Sequence, residues 1–151
     1  MKGQVRIVSE VLIFAIGIGI AAFVIVQFSI MQEGVQQNSF KDQMQGILNT
    51  VTNSLQKAMN SPNSNVDFEM PETLSENSYL VSLYEYSPGG EKRFFAIVHK
   101  LGEPSTYVAK EIFNIDKQRY SLSGSVVSGS KFARISSITT GASTKIELQR
   151  R

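Results

Sequence analysis

From Val11 to Met31 the chain carries no charge and only two polar side chains, Gln27 and Ser29. As a helix, this run of about 21 residues is about 31 Å long, close to the hydrocarbon thickness of a bilayer. In lipid each backbone polar group needs an internal partner, so a lone spanning segment must be helical. Three blander readings fit less well. A cleaved secretory signal has a shorter apolar region and a small-residue cleavage site, whereas this run ends in Phe28-Ser29-Ile30-Met31-Gln32. A buried core helix is ordinarily shorter, and an interfacial helix has a polar face. The expectation is a transmembrane helix, or one buried in a filament.

The flanks give the run a direction. Lys2 and Arg6 precede it, and the nearest cation downstream is Lys41. The positive-inside rule then places the N-terminus in the cytoplasm and the bulk of the chain outside, as a single-pass membrane protein. Within the run, Ala15 and Gly19 are four residues apart, as are Gly17 and Ala21. Such pairs line helix faces that a neighbouring backbone can approach closely. Gly17-Ile18-Gly19 is no nucleotide loop, because it lies inside an apolar helix without a third glycine. Glu10 sits at the threshold of the run, where an interfacial carboxylate in the first turn is the plain reading.

Beyond Met31 the chain turns polar and then amphipathic. Phe40, Met44, Ile47, Leu48, Val51, Leu55 and Met59 form one stripe of helical period. Lys41, Asp42, Gln45, Asn49, Asn53 and Lys57 form the opposite face. Gly34 and Gly46 each weaken the helix by about 1 kcal/mol relative to Ala, and Asn60-Ser61-Pro62-Asn63 ends it. From Val66 the period becomes that of strands: Val66–Met70, Leu80–Tyr86, Phe94–Val98, Tyr107–Phe113, Tyr120–Val127, Phe132–Thr139 and Lys145–Gln149. Turn-prone breaks separate them at Ser87-Pro88-Gly89-Gly90, Gly102-Glu103-Pro104, Asn114-Ile115-Asp116, Ser128-Gly129-Ser130 and Gly141-Ala142-Ser143. The fold expected is α+β: a long N-terminal helix, transmembrane then amphipathic, packed on a C-terminal antiparallel β-sheet or β-sandwich head. Residues 1–7 read as a short charged leader, 8–60 as the long helix with 11–31 in the membrane, and 65–151 as an extracytoplasmic β-domain.

Chemistry is sparse. The net charge is +2 and there is no basic stripe interleaved with aromatics, so no nucleic-acid partner is expected. The absence of cysteine rules out disulfides and thiolate metal sites. His99 is the only histidine and lies in a strand-like run. Asp67, Glu69, Glu72 and Glu76 lack the loop spacing of the best-known calcium site. Ser123-Gly124-Ser125 has no nucleophile-elbow pattern. No catalytic residue, metal ligand or cofactor is implied, and the chain does not read as an enzyme.

The opening Met1-Lys2-Gly3-Gln4-Val5-Arg6-Ile7-Val8-Ser9-Glu10-Val11-Leu12-Ile13-Phe14 resembles the class III signal region of archaeal type IV pilin-like proteins. The whole architecture resembles that superfamily too, and the stretch containing Pro71, Tyr79 and Val81 is similar to its passage from helix to sheet. The resemblance implies cleavage by a prepilin peptidase between Gly3 and Gln4. The apolar helix would then remain as both anchor and filament core, packing on copies of itself or on related pilin subunits. It also implies pairing of Glu10 with a neighbouring subunit's new amino terminus. Many pilins carry that glutamate at the fifth mature position, whereas Glu10 would be seventh; a cut before Arg6 would restore the fifth place but puts Val5 where glycine is usual. The function implied is a structural subunit of a surface filament, with the β-head making adhesive contacts. The alternative is a membrane-anchored accessory module of the cell envelope, archaellum-associated for example, that does not polymerise.

Overall fold

A computed structural model describes residues 2–113 and 115–151, with side chains from Ser9 onward except that of residue 114. Helix α1 (Lys2–Asn60) is followed by seven strands. They are β1 (Asn65–Glu69), β2 (Tyr79–Tyr86), β3 (Arg93–Lys100), β4 (Glu103–Glu111), β5 (Tyr120–Val127), β6 (Phe132–Thr140) and β7 (Ser143–Arg150). The chain divides into two units, residues 1–38 and Ser39–Arg151. Residues 2–7, read from sequence as leader, continue into α1, and Met1 lies outside the described residues.

The second unit contains the core. The helix from Ser39 to Asn60 buries Phe40, Met44, Ile47, Leu48, Val51, Leu55 and Ala58, and leaves Lys41, Asp42, Gln45, Asn49, Asn53 and Lys57 exposed. Its stripe packs against the inward face of the sheet, where Tyr79, Val81, Phe94, Ala96, Val98, Ile135, Ile146 and Leu148 are fully buried or nearly so. Alternation in each strand fixes which residues face inward. The helix stops as Pro62 approaches, and the Asn63 side-chain oxygen accepts the Thr139 N–H at 2.8 Å. Tyr79 is buried completely, and its hydroxyl donates to the Pro71 carbonyl at 2.7 Å. Burial pushes its pKa up to about 12.

All seven strands belong to one mixed sheet of order β1-β6-β7-β5-β2-β3-β4. The expected α+β architecture, a long helix packed on a sheet, is borne out, with one departure from an antiparallel sheet or sandwich: β5 and β7 run parallel, and no second sheet is present among the described residues. The reason lies at Ser128-Gly129-Ser130, a turn-prone break after which the next strand does not fold back alongside β5. Instead the chain passes beyond the place that β7 will take, pairs β6 with β1, and returns through the tight β6–β7 hairpin. Strand β7 then enters beside β5 in the same direction. At β4 the turn is also earlier than the Gly-Glu-Pro signal suggests. Leu101 and Gly102 (φ +87) make it, and Pro104 lies within an edge strand, where a missing N–H costs no ladder bond. Of the turn expected at 114–116, residue 114 lies outside the described residues; Asp116 Oδ1 accepts the N–H groups of Gln118 and Arg119.

Gly124 is the joint of this sheet. Tyr120–Gly124 pair with Thr144–Leu148 of β7, whereas Ser125–Val127 pair with Leu80–Ser82 of β2. Gly124 has φ +109, and a Cβ there would collide with the Leu148 carbonyl oxygen and lie 2.8 Å from its nitrogen. Left-handed backbone and backbone contact together require glycine. Gly124→Ala is therefore expected to destabilise the head by about 3 kcal/mol, read as a lower urea midpoint of the full chain in detergent. A second expectation concerns alkali. An unfolded tyrosine ionises near pH 10, while Tyr79 in the fold holds its proton to about 12. Its neutral form therefore supports the fold fully below pH about 10, and that support is lost as pH rises towards 12. Tyr79→Phe should flatten this alkaline decline in a denaturation series.

Candidate functional site

The first unit presents a helix surface rather than a cavity. From Ser9 to Asn38 every side chain is exposed. The large apolar residues between Val11 and Met31 are each between 55% and 70% exposed. Water does not tolerate an apolar surface of this size on a monomer. α1 contains the one helix stretch among the described residues that is long and apolar enough to cross a membrane. The segment's few polar groups suit that setting. The Ser29 hydroxyl donates to the Ile25 carbonyl at 3.1 Å, one turn back, so it requires no external partner. Gln27 is exposed within the apolar run and offers an amide for a bond between helices.

Helical geometry arranges the residues singled out from sequence. Successive residues turn by about 100°, so Gly17 and Ala21 share one side of the helix and Ala15 and Gly19 lie on roughly the opposite side. Glu10 is seven residues before Gly17 and eleven before Ala21, which places them about 20° to either side of it, so the three span about 40° around the axis. A built Cβ at Gly17, Gly19 or Gly34 meets nothing within 4 Å. The glycines are therefore not required by packing inside this unit. What they provide is two low-relief tracks, one of them headed by a carboxylate. Gly3 and Gln4, the expected processing site, lie in α1 among residues whose side chains are not described.

Of the acidic residues after the helix, Asp67 is committed to structure, whereas Glu69, Glu72 and Glu76 are exposed. Asp67 receives Arg134 Nε at 2.7 Å and Nη2 at 3.0 Å, with Arg151 at 3.1 Å. The Arg134 hydrogen bond, reinforced by the charges of Arg134 and Arg151, holds the Asp67 carboxyl below its ordinary range. His99 is half-buried on β3 between Leu80 and Tyr107. Among the described residues no group of three or more His, Asp or Glu side chains is placed to hold a metal ion. Ser123 and Ser125 flank the Gly124 joint and have a structural context of their own.

No protein-family model, curated protein or solved structure matches this chain. Two features escaped the reading of the sequence. The alignment of Glu10 with Gly17 and Ala21 was legible from spacing alone, since offsets of seven and eleven return to one helix face. The outward tyrosines Tyr84 and Tyr86 were legible in alternation, but only the strand order shows what lies beside them.

Because the glycines have open space around them, Gly17→Leu and Gly19→Leu should leave head stability within about 0.5 kcal/mol of the parent. They should weaken association between helices, read as a smaller oligomer by analytical ultracentrifugation in detergent.

Proposed function

We propose that this chain is a structural subunit of a type IV pilus-like surface filament. Its apolar N-terminal helices bundle to form the filament core, and its β-heads face outward for adhesive or surface contacts. The observation that carries the reading is the pair of small-residue tracks on opposite sides of a wholly exposed apolar helix. A closed dimer needs one self-complementary face, whereas a helix with two differing faces can join a neighbour on each side and propagate. The resemblance of the first residues to a class III signal points the same way. Before assembly the helix occupies the bilayer, with its N-terminus cytoplasmic, as Lys2 and Arg6 favour. A prepilin peptidase acting after Gly3 would release it for assembly.

Glu10 has a defined part in this scheme. A carboxylate taken into an apolar bundle is costly unless a cation meets it. The freed amino terminus of the adjacent subunit is a cation of the right kind, and the track containing Gly17 and Ala21 brings a neighbouring helix to the same face. A second reading, an anchored envelope module that does not polymerise, draws on the head's closed hydrophobic core, which is complete within one chain.

The two readings separate on the N-terminal residue and on filaments. Terminal peptide mapping of protein from cells co-expressing a prepilin peptidase should give a start at Gln4, with filaments visible by negative-stain microscopy. Glu10→Ala should lower filament yield at least about tenfold while membrane insertion is unchanged. A start at Met1 with no filaments would sink the filament reading and leave the anchored module.

A further inference from the structure

The sheet has only one face covered by the helix, and its outward face is not uniform. On the β2–β3–β4 side, alternation places Leu80, Ser82, Tyr84 and Tyr86 outward. The register sets Phe95 beside Tyr84, Glu111 beside Phe95, and Arg93 beside Tyr86. The Tyr84 and Tyr86 rings are nearly parallel, at 22°, with centroids 6.3 Å apart. Each is about half exposed.

A cleft of about 320 Å³ adjoins them. Its charged rim consists of Glu91, Arg93, Glu111 and Lys117, and Phe113 and Ile115 form part of its apolar wall. Lys117 Nζ donates to Glu91 Oε1 at 2.6 Å. Arg93 and Glu111 belong both to this cleft and to the outward face that carries the rings, so shelf and cleft form one surface.

We propose that this surface binds a neutral glycan: the Tyr84 and Tyr86 rings stack on sugar C–H faces, and the cleft residues bond its hydroxyls. The charges of the cleft decide the class of ligand. Two carboxylates face two cations, so the site presents no net field to attract a polyanion or a polycation. Glu91 and Lys117 are bonded to each other, while Arg93 adds a donor-only guanidinium and Glu111 an acceptor-only carboxylate at the rim. A polyol, in which each hydroxyl both donates and accepts, uses both kinds at once. The aromatic rings supply the complementary apolar contact. A second copy of the chain is a poorer occupant. The cores of protein interfaces are depleted in charge, and here Arg93 stands beside Tyr86 and Glu111 beside Phe95 on the same face as the rings. The inference names a partner for the outward contacts proposed for the head and rests on that reading only in this respect.

The test uses the full chain in lipid nanodiscs, titrated calorimetrically with chitohexaose, cellohexaose and mannohexaose, and with a heparin hexasaccharide as the anionic control. Binding of at least one neutral hexasaccharide is expected. The double variant Tyr84→Ala/Tyr86→Ala should weaken it at least about tenfold, and Tyr84→Phe/Tyr86→Phe should stay within about threefold, since the rings remain. Matching circular dichroism for the parent and both variants excludes misfolding as the cause. The inference is overturned if no neutral hexasaccharide binds, if only heparin binds, or if the alanine pair binds as the parent does. Loss of self-association in the alanine pair without saccharide binding would instead assign the face to contacts between copies. Filaments that bind no glycan would defeat this inference alone. A glycan-binding chain that starts at Met1 and forms no filaments would defeat the filament reading alone.

Discussion

Met44, Leu48, Val51 and Leu55 are all withdrawn from water, and one face of a single sheet is what withdraws them. Each such side chain contributes about 1.5–3 kcal/mol when fully buried, and the head has no disulfide to supplement it. The sheet depends on the contact equally. Without the helix, Tyr79, Val81, Phe94 and Ile146 would face solvent, because no second sheet lies over them among the described residues. The stripe on α1 therefore completes the head's core, and the head cannot be separated from residues 40–58 without losing it.

The sheet that meets this stripe is held in shape by a small number of backbone decisions. Gly124 lets β5 give its first half to β7 and its second half to β2. Ser128 then ties the joint, accepting the Tyr79 N–H on its hydroxyl at 2.9 Å and donating its own N–H to the Tyr79 carbonyl at 2.8 Å. Tyr79 is thus held by its backbone to the β5 end and by its hydroxyl to Pro71. A single residue so placed links the loop after β1, the start of β2 and the end of β5. Its burial explains both its raised pKa and its value as a structural reporter.

Two surfaces remain exposed after these contacts are made, and they differ in kind. The first unit exposes aliphatic and aromatic residues all round, interrupted by small residues and headed by Glu10. Such a surface suits lipid or other helices. The outward side of the β2–β3–β4 strands mixes tyrosines with balanced charges, which suits a partner with both apolar and hydroxyl character. In the proposed filament the first surface assembles the subunits and the second meets the surroundings. In that filament, assembly and recognition would fall to different parts of one chain.

Much of this was legible in the residues themselves. The uncharged run from Val11 to Met31 needs no tertiary information, because its length and lack of charge already predict a helix long and apolar enough to cross a membrane. The stripe from Phe40 to Met59 and the seven strands follow from periodicity, which is a local property of the backbone. The alternation in Tyr79–Tyr86 determines which side chains share a face. The order of strands is another matter. Alternation specifies a face and not a neighbour, and a Ser-Gly-Ser break looks the same whether the next strand returns alongside or crosses beyond. Only the tertiary structure decided that β6 would pair with β1 and β7 with β5 in parallel, and that Gly124 would carry the bend between them.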